Sequence, residues 1–136
     1  MPDRESPPAL HRRTLLTGAA GLGIAAVAAG CGGQEPSTAA DGTTLGPASD
    51  VPVGGGKVYA EQRIVVTQPV PGTFHAFAAV CTHQGCTLED VSDSTINCAC
   101  HGSKYAIDDG AVSRGPAQQP LTRRAVAVDA GSLTLH

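Results

Sequence analysis

Two short clusters of cysteine and histidine constrain this 136-residue chain more than any other feature. The first cluster is CTHQGC, residues 81–86, and the second is CACHGS, residues 98–103. Each cluster places a cysteine two or three positions before a histidine and adds one further cysteine. Eleven residues separate the clusters, which is enough for two loops to face each other from one side of a sheet. The pattern predicts a metal centre held between two loops.

The donor types suit two kinds of centre. Thiolate and imidazole ligands are typical of iron–sulfur clusters and of zinc. A Cys₂His₂ zinc site would use the same ligand types but would leave Cys86 and Cys100 without a role. A domain held only by disulfides, with bystander histidines, is a third reading. Colour separates these alternatives, because an iron–sulfur centre absorbs visible light and a zinc site does not.

The rest of the sequence predicts an all-β fold. Short β-rich runs alternate with turn residues after residue 50, and no stretch of ten or more residues there has strong helical periodicity. Period-two alternation in residues 125–129 and 132–135, with Asp129-Ala130-Gly131 between them, predicts a hairpin. We therefore expect a small antiparallel sandwich or barrel. The other predicted strands cover residues 57–60, 63–68, 74–80, 95–98 and 103–106.

Charge excludes one class of partner. Residues 31–136 carry a net charge of −4, and the whole chain carries −3. Nucleic-acid binding depends on clustered Lys and Arg, which this chain lacks. The composition indicates a mildly acidic domain with no nucleic-acid partner.

The first thirty residues predict a signal peptide. Arg12 and Arg13 precede a weakly apolar run, residues 14–29, that is shorter than the ~20 residues needed to cross a bilayer. The paired arginines resemble a twin-arginine signal, which implies export of the folded protein. An additional helix of the domain is the alternative, but the run has no polar face.

The signal region ends in VAAGC, which resembles a lipobox and predicts lipidation of Cys31, although Ala28 stands where the pattern prefers Leu, Val or Ile. Cleavage elsewhere, leaving a free thiol, is the alternative. Residues 31–50 are mostly small and polar, so we predict a flexible tether there and a folded domain over residues 51–136. Together these features predict a domain on the outer face of the cytoplasmic membrane, held by a lipid anchor.

The two clusters resemble the halves of the Rieske iron–sulfur motif, C-x-H-x-G-C and C-x-C-H-G-S. The resemblance implies a 2Fe–2S cluster in which two cysteines hold one iron and two histidines hold the other. Carried over to this chain, those ligands are Cys81, Cys98, His83 and His101. It also implies a disulfide between Cys86 and Cys100, which an oxidising compartment would preserve. With Cys31 lipidated, every cysteine then has a role.

The resemblance extends to residues around the cluster. Ser103 and Tyr105 match family positions whose hydroxyls donate hydrogen bonds to a cluster sulfur and to a ligand cysteine, which stabilises the reduced state. A third loop, residues 114–121, resembles the proline loop that covers the cluster. Gly115 and Pro116 match it, whereas Gln118 replaces its second proline, which predicts a less rigid cover.

The implied function is one-electron transfer by a membrane-tethered carrier rather than catalysis by this chain alone. The alternative is a subunit of a quinol-oxidising cytochrome bc-type complex, or of a molybdenum oxidoreductase such as arsenite oxidase. Gln84 stands where the cytochrome-complex subunits usually have Leu, and the apolar run is too short for their spanning helix. The donor and acceptor proteins are not identified by the sequence. We do not expect a Rieske oxygenase, because outside the two clusters only His11, His75 and His136 remain to bind a mononuclear iron, and we expect no second domain in this sequence.

Overall fold

The computed structural model describes residues 38–136, and this part of the chain is built almost entirely from short strands. A single turn of 3₁₀ helix, Ala48–Asp50, follows the first strand. The eleven strands are β1 (Thr44–Pro47), β2 (Gly55–Tyr59), β3 (Ile64–Val70), β4 (Thr73–Ala78), β5 (Asp90–Ser92), β6 (Thr95–Asn97), β7 (Lys104–Ala106), β8 (Val112–Arg114), β9 (Arg123–Arg124), β10 (Val126–Asp129) and β11 (Ser132–Leu135). The predicted all-β class is confirmed.

The strands form three antiparallel sheets. The first sheet has the order β1-β11-β10, the second β2-β3-β4-β9 and the third β5-β6-β7-β8. The third sheet contains the chain on both sides of the second cysteine cluster, and β4 of the second sheet leads into the first cluster. Two different sheets therefore supply the two loops.

Strand β3 lies between two hydrophobic cores. Val65 packs with Phe77, Leu88 and Tyr105 in a core under the two loops. Ile64 and Val66 point to the other face and pack with residues of the first sheet, Leu133 and Leu135 among them. Burial on both faces explains why β3 begins with an uninterrupted apolar run, because alternation appears only where one face meets solvent.

The predicted hairpin at the carboxyl end is present. Strands β10 and β11 pair from Val126 opposite Leu135 to Asp129 opposite Ser132. The two turn residues, Ala130 and Gly131, have φ of 48° and 80°, as a type I′ turn requires.

Strand β1 lies in the segment that the sequence predicts to be tether. Residues of β1 pair with β11, and Thr44 lies opposite Thr134. The ordered region therefore begins before residue 51, because the exposed edge of β11 supplies hydrogen-bond partners to a segment with little apolar character of its own. The predicted signal peptide and Cys31 lie outside the described residues. Within residues 38–136 there is no helix with the length and apolar character needed to cross a membrane.

Candidate metal centre

The first cysteine cluster forms a loop directly after β4. An isolated antiparallel bridge between Val80 and Thr87 closes its base. The amide of Leu88 then donates to the carbonyl of Ala79, and Leu88 is fully buried beneath the loop. The loop is thus fastened to the core on both sides.

The two clusters have the same backbone design. In the first loop the carbonyl of Cys81 accepts from the amide of Gly85 at 2.8 Å, and the amide of Cys81 donates to the carbonyl of Cys86 at 2.7 Å. The second loop repeats both bonds. The amide of Gly102 donates to the carbonyl of Cys98 at 3.1 Å, and the amide of Cys98 donates to the carbonyl of Ser103 at 2.9 Å. Both glycines have φ of 76°, which is strained for other residues. The glycine four positions after each cysteine therefore lets each loop turn back on itself.

This design brings four donor side chains to one end of the domain. Cys81 and Cys98 are free thiols, and each is only 2% exposed. His83 is half-buried and His101 is exposed. The two imidazole rings meet edge to face with 4.8 Å between their centroids. The sequence-predicted ligands thus form one cysteine pair and one histidine pair.

The two free thiols and the two imidazoles fit a metal centre. The Nδ1 atom of His83 is buried and has no hydrogen-bond partner among the described residues. Burying a polar nitrogen without a partner is unfavourable unless something else binds it. Two thiols and two imidazoles are also the donor set of a cluster with one cysteine-held and one histidine-held iron. The residues present therefore fit a 2Fe–2S cluster.

The two thiols have different environments. Burial raises the pKa of Cys81, but hydrogen bonds from the Tyr105 hydroxyl and the His83 amide more than offset it, so that its pKa is lowered. Burial also raises the pKa of Cys98, and the neighbouring Cys81 raises it further. Because Cys81 raises the cost of charging its neighbour Cys98, a bound cation is the natural partner for the pair.

A disulfide ties the two loops together. Cys86 and Cys100 are bonded, with 6.5 Å between their Cα atoms. Cys98 Sγ lies within 4.8 Å of both bridged sulfurs. These three sulfurs do not form a second metal site, because bridged sulfurs carry no thiolate to bind a metal.

Two buried hydroxyls approach the centre. Tyr105 is fully buried, and its Oη lies 3.3 Å from Cys81 Sγ. Ser103 is also fully buried and helps to lower the pKa of Cys81, and its Oγ accepts from the amide of Ala117 at 3.2 Å. Since Oγ already accepts one bond, the serine proton remains available to donate.

Thr82 is a residue to which the sequence analysis gives no role. Its hydroxyl donates to the carbonyl of Gln119 at 2.6 Å, and its amide donates to Tyr105 Oη at 3.0 Å. Tyr105 Oη also lies 3.0 Å from Thr82 Oγ1. One side chain therefore joins the first loop to the third loop and holds the tyrosine in place. The only sequence signal was its position between two predicted ligands.

The third loop lies directly against the second. Gly115 has φ of 98°, and a Cβ atom built there would be 2.5 Å from Ser103 Cα and 2.9 Å from Ser103 N. Only glycine permits this approach of two backbones. Pro116 is exposed, and the next residue, Ala117, is buried and donates to Ser103.

We predict that Gly115→Ala separates the third loop from the second. The new methyl group meets backbone atoms that cannot move aside, in a conformation that alanine disfavours. Strain and overpacking of this kind cost about 2 kcal/mol or more in unfolding free energy. Urea denaturation measures the loss. Gly72→Ala is the matched control, because Gly72 has φ of 80° but open space at its Cβ position. Equal losses in both variants would contradict the close approach.

An all-β domain with paired cysteine and histidine loops defines a small iron–sulfur protein. Residues 43–127 match the Rieske [2Fe-2S] domain, and the chain belongs to that family. Its cofactor is therefore a 2Fe–2S cluster rather than a zinc ion.

Curated relatives give the family context. The chain is 38% identical over 94 residues to the cytochrome b6-f complex iron-sulfur subunit of Chlorobaculum tepidum. The matched stretch covers 67% of this chain and 51% of the relative. It is 35% identical over 65 residues to a putative respiratory nitrate reductase subunit Rieske of Haloferax mediterranei, covering 47% of this chain and 30% of the relative. The chain thus spans about half or less of the length of these relatives.

Solved structures share the fold. The plasma membrane Rieske protein PetC3 from Synechocystis PCC 6803 superposes with a TM-score of 0.58 at 24% identity, covering 69% of this chain and 98% of that one. The Sphingomonas yanoikuyae B1 ferredoxin superposes with a TM-score of 0.56 at 26% identity, covering 70% and 97%. These likenesses extend over almost the whole length of both of those chains.

We predict that Tyr105→Phe lowers the reduction potential. The phenol hydrogen bond favours extra negative charge on Cys81, so losing it disfavours the reduced state. A net hydrogen bond of about 0.5–1.5 kcal/mol corresponds to roughly 20–60 mV for one electron. Redox titration measures the shift. Tyr59→Phe is the matched control, because Tyr59 Oη is buried without a hydrogen-bond partner in the described part of the chain. An unchanged potential in Tyr105→Phe would refute the role.

Proposed function

We propose that this chain carries single electrons by means of a 2Fe–2S cluster held by four side chains. Those ligands are Cys81 and Cys98 for one iron and His83 and His101 for the other. The observation that carries the proposal is the repeated loop design, which brings two buried free thiols and two imidazoles, 4.8 Å apart, to one end of the domain.

The cluster, when bound, accepts and releases one electron at a potential in the Rieske range of roughly −150 to +300 mV. Tyr105 and Ser103 orient hydroxyl protons toward the sulfur side of the site, and this favours the reduced state. The buried thiols exclude water from their side of the site. His101 is exposed and provides the short route to a partner. We therefore expect a potential in the upper half of this range.

Reversible redox titration of the purified protein tests this function. We expect a single one-electron transition, accompanied by loss and recovery of visible absorption. A reversible transition below 0 mV would contradict the role assigned to the two hydroxyls. Failure to accept an electron reversibly would contradict the carrier function itself.

We further propose that the chain is exported by a twin-arginine signal and anchored at the outer face of the cytoplasmic membrane through lipidated Cys31. The VAAGC sequence and the paired arginines support this. Cys31→Ser is expected to release the protein from the membrane fraction, and unchanged retention would refute lipid anchoring.

A second candidate function is that of a subunit in a larger electron-transfer complex. The names of the curated relatives favour the complex, since one is called a subunit of the cytochrome b6-f complex and another a putative subunit of a respiratory nitrate reductase. Gln84, exposed beside His83, favours the free carrier instead. Solubilisation of native membranes followed by purification separates the two, because a stably bound cytochrome b would establish the complex.

A further inference from the structure

Three polar groups meet at the hydroxyl of Tyr105. Its Oη atom lies 3.3 Å from Cys81 Sγ and 3.0 Å from Thr82 Oγ1, and it accepts from the amide of Thr82 at 3.0 Å. Tyr105 is fully buried, which disfavours the charged form, so the phenol stays neutral and keeps its proton. A phenol has one proton to donate, whereas two side-chain atoms lie within its reach.

The hydroxyl of Thr82 has its own proton committed elsewhere. It donates to the carbonyl of Gln119 at 2.6 Å, and a carbonyl oxygen can only accept. The acceptor side of Tyr105 Oη is already occupied by the amide of Thr82. The contact between the two hydroxyls is therefore made by the proton of Tyr105, with Thr82 Oγ1 as the acceptor.

Neither acceptor is close enough to hold this proton alone. Bonds between two hydroxyls span about 2.5–3.0 Å, so the contact of Tyr105 with Thr82 Oγ1 is at the long end of that range. Sulfur is a larger atom, and it becomes the stronger acceptor as its negative charge grows. Reduction of a cluster adds negative charge to its cysteine sulfurs. It therefore draws the phenol proton from Thr82 toward Cys81.

We propose that Thr82 withholds part of the Tyr105 proton from Cys81 and thereby lowers the reduction potential of the centre. A hydrogen bond to the sulfur raises the potential only by the amount by which it is stronger in the reduced state. In the oxidised state the proton has Thr82 as an alternative acceptor, which stabilises that state and reduces the difference. Thr82 is thus a positioning residue that acts through the tyrosine. The inference rests on the proposed electron-carrier function, since only a centre that accepts an electron reversibly has a measurable potential.

The hydrogen bonds run outward from the buried phenol to the third loop. Tyr105 donates to Thr82, and Thr82 donates to Gln119, whose side chain is exposed. The carbonyl of Gln119 takes the threonine proton and so leaves Thr82 Oγ1 free to accept. The position of a surface loop therefore determines how the phenol proton is divided.

Redox titration of Thr82→Val tests the inference. Valine has nearly the same shape and lacks the hydroxyl, while the backbone amide still donates to Tyr105. The phenol proton is then left to Cys81, so we expect the midpoint potential to rise. Thr82→Ser retains the hydroxyl and should keep the wild-type potential. Thr87→Val is the matched control, because Thr87 is exposed at the base of the same loop, and it should leave the potential unchanged.

The same substitution in a Tyr105→Phe background separates the proton from a loosened loop. Losing the bond to Gln119 frees the third loop whether or not the phenol is present, whereas the division of the proton requires the phenol. We therefore expect Thr82→Val to raise the potential of the Tyr105 protein and not that of Tyr105→Phe. Resonance Raman spectra of the oxidised proteins give a second readout. A stronger bond to Cys81 Sγ should lower the iron–cysteine stretching frequencies in Thr82→Val alone.

Each other outcome has a definite meaning. A fall in potential in Thr82→Val would show that the threonine donates to Tyr105 Oη, and an unchanged potential would show that the sulfur holds the proton alone. Equal rises with and without the phenol would assign the effect to the loop. All three results would overturn the inference and leave the carrier function standing. If the wild type itself takes up no electron reversibly, the carrier function fails, and the inference fails with it.

Discussion

Replacing Cys98 by serine is expected to remove the visible absorption and nearly all of the bound iron. Serine supplies a hydroxyl where iron–sulfur coordination requires a thiolate, and within residues 38–136 no spare thiol can substitute because Cys86 and Cys100 are bridged. The remaining sulfur ligand, Cys81, cannot hold its iron alone. Iron analysis and absorption spectroscopy of the purified variant measure the loss.

Ala99→Ser is the control for this experiment. Ala99 is exposed in the same loop, so the variant adds a hydroxyl one residue away without touching the ligand set. It should keep wild-type colour and iron. A Cys98→Ser protein with a full complement of iron would exclude this cysteine as a ligand.

The second large effect is expected from removing the bridge between the two loops. The Cys86–Cys100 disulfide closes a loop with a sequence separation of 14 residues. A disulfide that closes a loop of about 15 residues stabilises the folded state by ~3 kcal/mol, because it lowers the entropy of the unfolded chain. Cys86→Ser/Cys100→Ser should therefore lose about that much free energy of unfolding, and it should release iron faster, because the cluster's own ligands would then be the remaining cross-link between the two loops.

Chemical denaturation and the rate of iron loss to a chelator measure both effects. Treatment of the wild type with a thiol reductant should reproduce them, since Cys100 is exposed and Cys86 is half-buried. A double variant as stable as the wild type, with unchanged iron release, would mean that packing alone holds the loops together.

The parts of the structure that local sequence encodes were predicted well. The β10–β11 hairpin follows from alternation and from a turn in which Gly131 adopts positive φ without strain. The spacing of cysteine, histidine and glycine in the two clusters is specific enough to predict the two metal-binding loops. The all-β class follows from the absence of helical periodicity.

Elements that depend on distant partners were not predicted. Strand β1 contains Gly46 and Pro47, which have poor strand propensity, and it forms because β11 offers an open edge. Strand β5 is not among the predicted strands, yet Asp90 pairs with Asn97. No periodicity in three or four residues can indicate such pairing.

The third loop shows the same limit at the site. Gln118 in place of proline suggested a less rigid cover. In the structure, two hydrogen bonds hold the loop. The amide of Ala117 donates to Ser103 Oγ, and the carbonyl of Gln119 accepts from the hydroxyl of Thr82. Backbone groups make these bonds, so the identity of residue 118 does not affect them. The sequence contained the hydroxyls but not the approach of the loops.

The most direct test of the account is metal and sulfide analysis of the purified protein, combined with its absorption spectrum. A 2Fe–2S centre on these four ligands requires two iron and two acid-labile sulfide per chain, in a coloured protein that bleaches on reduction. A colourless protein that holds zinc, or one that takes up neither iron nor sulfide after reconstitution, would contradict it.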